Sequence, residues 1–351
     1  MILETTYKKE WIEEKAKELG KVDSKLLEKV IMALALLEQL KLNKLDFVFK
    51  GGTSLVLLLE IPRRFSIDID IVIAKKNKNI KTIFDKVVTD SVFTRWSDDN
   101  ERKGNTKAPV EHYKFYYKSE VDNYFGEEPI LLDILYDNHS YSKLNDTPVK
   151  HAWLKTKAPV GTVPTPSLED ILGDKLTAFA PTTTGILYSK NKPIEMIKQL
   201  YDIGSLFDVV KDLTLVSKTF QTIAKTEIAY RELKITHNEI LQDILETALI
   251  LSERDVANKS FLHLQKGVNN IRNFIFIENF HIESAIVCAS KAAYLSQLLT
   301  INSKIIPHRY TNPGEIKDWI IENAKYNKFN RLKKTLPEAF FYWHKTIELM
   351  K

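Results

Sequence analysis

Cysteine is all but missing: Cys288 stands alone among 351 residues. A single thiol excludes an intramolecular disulfide and any cysteine-rich zinc site. Its setting among the small apolar residues of ESAIVCASKAAYL predicts a buried structural thiol and not a nucleophile. Long apolar runs are lacking too. LVLLLEIP falls far short of a bilayer span. MILETTYKKEWIEEKAKE contains no signal-peptide apolar segment, so a cytoplasmic protein without a membrane partner is expected. Glycine is scarce at 11 residues, and there is no internal repeat and no low-complexity tract. What remains is an ordinary globular composition, 44% hydrophobic and 28% charged, in a chain long enough for two domains.

The excess of positive charge is small and uneven. Lys and Arg number 51 against 46 Asp and Glu, a net charge of +5. Residues 301–351 hold ten of those cations and five of the acids, so the first 300 residues balance at 41 of each. Two readings stand for this tail. It is a solvated basic helix face, or it is a polyanion contact in which Tyr326, Phe329 and Phe340 are interleaved with Lys325, Lys328, Arg331, Lys333 and Lys334.

The densest chemistry lies in residues 47–73, FVFKGGTSLVLLLEIPRRFSIDIDIVI. Its last part alternates with strand period. Phe65, Ile67, Ile69, Ile71 and Ile73 fall on one face; Arg64, Ser66, Asp68 and Asp70 fall on the other. Two carboxylates at i and i+2 sit roughly 6.5–7 Å apart, close enough to share divalent metal and costly to leave unneutralised. Upstream, Gly51-Gly52-Thr53-Ser54 runs into Leu55–Leu59. This reads as a glycine turn opening a short buried helix whose N–H groups and hydroxyls suit phosphate. Phosphate cradle and Asp-x-Asp together are what a nucleoside triphosphate with Mg²⁺ requires. Arg64 has a simpler reading as partner to a carboxylate on its own face, and Ser66 as a hydrogen-bond donor to one.

The rest of the chain is read around that stretch. Residues 1–20 and 25–42 are expected as helices, the second capped by Asp23-Ser24, stopped at Asn43, and buried through Leu26, Leu27, Val30, Ile31, Leu34 and Leu37. Leu45–Phe49 is a strand, Lys75–Asn79 a basic loop, and Ile80–Val92 a helix. A polar turn over 98–105 precedes strands at Val110–Lys118 and Pro129–Tyr136, joined through VDNYFGEE. Asp133 is the lone charged residue in ILLDILY, expensive to bury without a partner or a metal; it reads as a strand-end residue or, favoured by the Asp-x-Asp upstream, as a third metal ligand. A further strand lies within 149–163. Pro164-Thr165-Pro166-Ser167 is a breaker and cap. Helices are then expected at 168–179, 194–210, 215–230, 238–251, 253–278, 282–299, 313–327 and 337–350. Their Ala/Leu/Ile periodicity argues for a bundle.

The order Gly-Gly-Thr-Ser, then Arg-x-Ser-x-Asp-x-Asp, then a distant strand Asp resembles the polymerase-beta-like nucleotidyltransferase superfamily. More narrowly, KGGTSL with RRFSIDIDIVI is similar to the AbiEii nucleotidyltransferase toxins of type IV toxin–antitoxin pairs. That family adds a helix lysine and a Tyr-Asp motif, matched by Lys175 in PSLEDILGDKLTAFA and by Tyr201 and Asp202 in IKQLYDIGSLFD. The chain departs from it by PTTTG after the lysine helix and by Lys198-Gln199 before Tyr201. The resemblance implies an α+β fold in which a nucleotidyltransferase core, its mixed sheet carrying the carboxylates, is followed by a helical-bundle C-terminal domain. The expected segments are 1–44, helices packing on the core; 45–163, the core; and 164–351, the bundle.

The resemblance also implies roles. Asp68, Asp70 and Asp133 would hold Mg²⁺ or Mn²⁺, with Asp133 also helping to take a proton from the acceptor hydroxyl. Lys50, Gly51, Gly52, Thr53, Ser54, Arg64 and Ser66 would bind the nucleotide; Lys175 and Asp202 would join the catalytic set. Apart from the family, Lys175 reads equally as a surface lysine on an amphipathic helix. The substrate is an NTP and the acceptor an RNA, the 3′ end of tRNA first. A cognate antitoxin acting without a stable complex is the implied partner. Two other functions stay open: nucleotidyl transfer to a small molecule or protein, and a non-catalytic nucleotide-binding protein of the same fold.

Overall fold

The computed structural model describes residues 1–76, 78–102, 107–121 and 126–350, and divides the chain into two compact units. The first is Met1–Ser167 with Asn273–Glu278; the second is Leu168–Arg272 with Asn279–Lys351. The architecture is α+β: a mixed sheet early in the chain, then a helical region. The turns expected over 75–79, 98–105 and 121–128 fall partly outside the described residues.

In the first unit, α1 (Lys9–Glu18) and α2 (Ser24–Leu42) precede β1 (Val48–Lys50), α3 (Gly51–Leu58) and β2 (Ile69–Val72). There follow α4 (Ile80–Thr89), β3 (Phe93–Asp98), β4 (Val110–Lys118), β5 (Glu127–Leu135), β6 (Leu144–Pro148) and β7 (Thr162–Pro166). The Asp23 carboxylate caps α2 by accepting the Lys25 N–H at 2.8 Å. Its stripe of Leu27, Val30, Ile31, Leu34 and Leu37 is fully buried, each such side chain contributing about 1.5–3 kcal/mol over an exposed one.

Five strands form one sheet in the order β1-β2-β5-β4-β3. Only the β2–β5 pairing is parallel; the other three are antiparallel. Ile69, Ile71, Leu132, Ile134, Tyr113, Phe115 and Tyr117 make one buried face. The hydroxyl of Ser119 and the N–H of Glu120 end on the buried Glu28 of α2, and Phe84 of α4 meets Tyr113 and Phe115 edge-on. The opposite face keeps Asp70, Asp133, His112, Lys114 and Tyr116 half-buried, and this is the face that matters for function.

Several expectations need correction. The strand over 64–73 is regular only at Ile69–Val72, because Arg64 bridges Ile275 and the Phe65 N–H donates to the Phe274 carbonyl instead. The same pairing ends the expected 253–278 helix at Ile271, and its regular part is Lys259–Ile271. In NFIFIE the aromatic and β-branched residues favour extended pairing over helix, and Phe276 packs on Phe65 and Trp153. The expected 80–92 helix ends at Thr89, and β3 at Phe93–Asp98 was not expected. Its buried Phe93 and half-buried Trp96 pack on Phe115 and Phe84, but a register shift between Phe93 and Arg95 breaks the alternation that would have revealed it. Finally, Pro164 and Pro166 do not break the chain but lie in β7, paired only with β6. A two-stranded ribbon leaves a free edge where a missing N–H costs nothing.

The second unit holds α5 (Leu168–Ala178), α6 (Pro193–Phe207), α7 (Leu213–Tyr230), α8 (His237–Glu253), α9 (Lys259–Ile271), α10 (Ile282–Thr300), α11 (Leu332–Thr335) and α12 (Pro337–Leu349). The helix expected at 313–327 is absent; only a 3-10 turn, Pro313–Ile316, forms. Asparagine side chains take over the backbone there. Asn330 both accepts from the Ile321 N–H and donates to its carbonyl, and Asn323 accepts from the Lys325 N–H. Such local bonds compete with helix.

Candidate active site

β1 ends at Lys50, and Gly51 turns the chain into α3 with φ of +78°. A Cβ on Gly51 would lie 2.1 Å from Asp70 Oδ2, so the Asp70 carboxylate occupies the space a side chain would need. At Gly52 the same position is 2.6 Å from Arg64 Nη2 and 2.8 Å from Ser66 Oγ. The two glycines thus bring the start of α3 against Asp70, Arg64 and Ser66, which share one side of their extended segment. Arg64 is buried and also donates from Nη1 to the Phe65 carbonyl at 2.9 Å.

The hydroxyls of the turn face inward. Thr53 Oγ1 donates to the Asp68 carbonyl and Ser54 Oγ to the Gly51 carbonyl, and both side chains are fully buried. They hold the turn and the segment bearing Asp68. The donors that the start of α3 offers outward are backbone N–H groups.

Register lines up the chemistry across the sheet. Lys50 is opposite Asp70, Asp70 opposite Asp133, and Asp133 opposite His112. Directly opposed residues point to the same face, so four ionisable side chains form one row over β1, β2, β5 and β4. His112 Nδ1 and Asp133 Oδ1 are 2.8 Å apart, with 15% and 30% of the side chains exposed. Asp133 thus has in His112 a partner of the kind that its place in ILLDILY calls for. His112 was missed by reading the chain alone. The signal was present: alternation with the buried Tyr113, Phe115 and Tyr117 puts His112 on the polar face, but only the β4–β5 register sets it beside Asp133.

Among the described residues no three His, Cys, Asp or Glu side chains converge to chelate a metal ion. Mg²⁺ does not require such a cluster, since it is usually held through one or two carboxylates plus substrate phosphates and retained waters. The donors here are carboxylate oxygens, the hard set Mg²⁺ or Mn²⁺ prefers.

Lys175 and Asp202 lie in the second unit, where Nζ and Oδ2 are 2.9 Å apart with 8% and 3% of their side chains exposed. Lys175 also donates to Gln199 Oε1 at 2.9 Å. The surface-lysine reading is thereby excluded. Breaking a buried pair strands a charge, so Asp202→Ala alone is expected to cost about 3–5 kcal/mol. The double replacement Lys175→Met with Asp202→Leu should cost much less. Urea unfolding measures both, and equal losses in the single and double variants would show that the two charges are not coupled.

The basic tail differs from the interleaved surface pictured above. Phe329 and Phe340 are fully buried and Tyr326 nearly so. Lys328 pairs with Glu253, Arg331 donates to the Glu253 carbonyl, and Lys333 donates to the carbonyls of Lys317 and Trp319. These aromatics are core, and three of the cations hold the unit's own fold.

A glycine turn opening a helix is thus set against a sheet row that carries Asp70 and Asp133. Residues 35–266 match the family described as nucleotidyl transferase AbiEii toxin of type IV toxin–antitoxin systems. The chain belongs to this family of nucleotidyltransferase toxins. It is similar to a solved nucleotidyltransferase structure from H. pylori at 14% identity and a TM-score of 0.44, over 81% of this chain and 97% of that one. An antigenic nucleotidyltransferase-like protein from Paracoccidioides brasiliensis is similar at 14% identity and a TM-score of 0.36, over 63% and 99%. No match is found among curated proteins. No helix among the described residues is long and apolar enough to cross a membrane.

Proposed function

We propose that this toxin transfers a nucleoside monophosphate from an NTP to the 3′ hydroxyl of an RNA, a tRNA first among the candidates, the α–β phosphoanhydride bond breaking and pyrophosphate leaving. The observation that carries the chemical half is the row Lys50, Asp70, Asp133 and His112 beside the Gly51-Gly52 turn. Asp68, Asp70 and Asp133 would share Mg²⁺ or Mn²⁺ with substrate phosphates and water, no single ion taking all three carboxylates. When bound, the metal neutralises triphosphate charge and favours attack by the acceptor oxygen.

The chain's own groups do the remainder. Backbone N–H groups at the start of α3 take phosphate oxygens, with Thr53 and Ser54 bracing the turn that presents them. Lys50 offsets phosphate charge. Arg64 and Ser66 fill the space beside Gly52 and keep the α3 start in place against the Asp70 segment. Asp133 takes the proton of the attacking hydroxyl, and His112 orients it. The Lys175–Asp202 pair is tied to the same reaction by the resemblance of its motif alone.

The acceptor half rests on the family resemblance of the sequence alone. An antitoxin that acts without a stable complex is the expected partner, in a cytoplasm that supplies both NTP and RNA. The test incubates the full chain with each labelled NTP, Mg²⁺ and either total RNA or total protein. Label in RNA is expected. Label confined to protein or to a small molecule would overturn the acceptor, and no label in any pool would overturn transfer.

A further inference from the structure

The polar face of the sheet continues beyond Asp133. Along β4, His112, Lys114, Tyr116 and Lys118 share it, because they alternate with the buried Tyr113, Phe115 and Tyr117. β3 extends it with Ser97 opposite Lys114 and Arg95 opposite Tyr116. The Arg95 guanidinium carbon lies 3.4 Å from the centre of the Tyr116 ring. Its Nε donates to Glu127 Oε2 at 2.9 Å, yet the side chain stays 52% exposed. Thr94 Oγ1 donates to the other oxygen of Glu127 and to the Tyr116 carbonyl. The Tyr116 hydroxyl is 3.3 Å from Ser97 Oγ, and Lys114 Nζ donates to Asp99 Oδ1 at 2.7 Å.

A cation is thus fixed from beneath by an aromatic ring and from one edge by a carboxylate, while much of it faces solvent. Stability does not call for this. An exposed ion pair contributes little, and an exposed cation–π contact about 0.5–1 kcal/mol. The register shift between Phe93 and Arg95 is the second observation: such bulges re-aim side chains near functional sites, and this one places Arg95 over Tyr116. Ordered guanidinium planes and aromatic rings are surfaces on which unpaired bases stack. Four residues along β4 separate Tyr116 from His112, roughly 13–14 Å. That is too far for the reacting nucleotide and within reach of those just behind it.

We propose that the Arg95–Tyr116 stack is a subsite for a base in the single-stranded end of the RNA acceptor, with Lys114 and Lys118 beside its phosphates. The inference rests on the RNA reading above. Stacking uses the face every base has, so the subsite tolerates sequence and sets only the register of the strand against Asp133.

The experiment follows labelled NTP transfer by the full chain onto total RNA, at varied RNA and varied NTP. Arg95→Ala and Tyr116→Ala should each raise the RNA KM on the order of tenfold, with the NTP KM and the thermal midpoint near wild type. Arg95→Lys should rescue only partly, since an ammonium keeps the charge without the plane. Tyr116→Phe should behave as wild type. RNA labelled with unchanged KM in both alanine variants would overturn the subsite and leave the acceptor standing. A KM loss that tracks a fall in thermal midpoint and is fully rescued by Arg95→Lys would make the stack a structural contact. Label confined to protein or a small molecule in wild type would overturn the acceptor and the subsite together.

Discussion

Asp68→Ala and Asp70→Ala are each expected to lower nucleotidyl transfer on the order of a thousandfold, because metal-assisted charge neutralisation supplies several kcal/mol of the barrier. The fold should survive both. Asp70 stands between Lys50 and Asp133 in the cross-sheet row, so removing it relieves one carboxylate–carboxylate repulsion and loses one attraction. Asp68 is tied to the turn by its backbone carbonyl, which accepts from Thr53 Oγ1, and alanine keeps that bond. In metal-free buffer both variants should melt at or slightly above the wild-type temperature. In Mg²⁺ with NTP, wild type should gain stability by ligand linkage and the variants should gain less. Wild-type turnover in either variant would end the metal-carboxylate reading, as would an undiminished thermal shift in both.

The row itself was only half legible in the sequence. Strand alternation predicted that Arg64, Ser66, Asp68 and Asp70 share a side, and the structure sets Arg64, Ser66 and Asp70 against the glycines of α3. What alternation cannot supply is which strand lies beside which. The adjacency of Asp70 and Asp133 is a parallel pairing of β2 with β5, 63 residues apart in sequence, and no local pattern encodes such a partner. His112 escaped notice for the same reason. The local rules failed elsewhere for physical causes that can be named. The NFIFIE segment joined a distant strand-like residue, asparagine side chains displaced a helix at 313–327, and a bulge hid β3. The basic tail misled because charge counts do not reveal that Lys328, Arg331 and Lys333 already have partners in their own unit. By contrast, α2 and, in the second unit, α5 to α8, α10 and α12 needed only helical periodicity and caps, which are properties of contiguous sequence.

Gly51→Ala is expected to damage activity far more than stability. The position combines two demands that alanine cannot meet. Its φ of +78° costs an L-residue roughly 1–2 kcal/mol, and its Cβ would come 2.1 Å from Asp70 Oδ2 and 2.9 Å from Asp70 Cγ. Such contacts cannot persist, and the carboxylate is the part able to move. The fold should therefore lose about 1–3 kcal/mol, while Asp70 swings out of register with Asp133. A displacement of about 1 Å at a reacting centre costs on the order of a hundredfold in rate. Gly52→Ala provides the contrast. Its φ is not left-handed, and the atoms in its way are the ends of the Arg64 and Ser66 side chains, so a smaller loss of rate is expected. The decisive measurement is a double-mutant cycle in urea. Asp70→Ala removes the obstructing carboxylate, so Gly51→Ala should destabilise the Asp70→Ala protein less than it destabilises wild type, the difference being the clash. Additive losses would place the whole cost of Gly51→Ala in its backbone angle and none in Asp70. Near wild-type transfer by Gly51→Ala would show that the Asp70 position seen here is not the one the reaction uses.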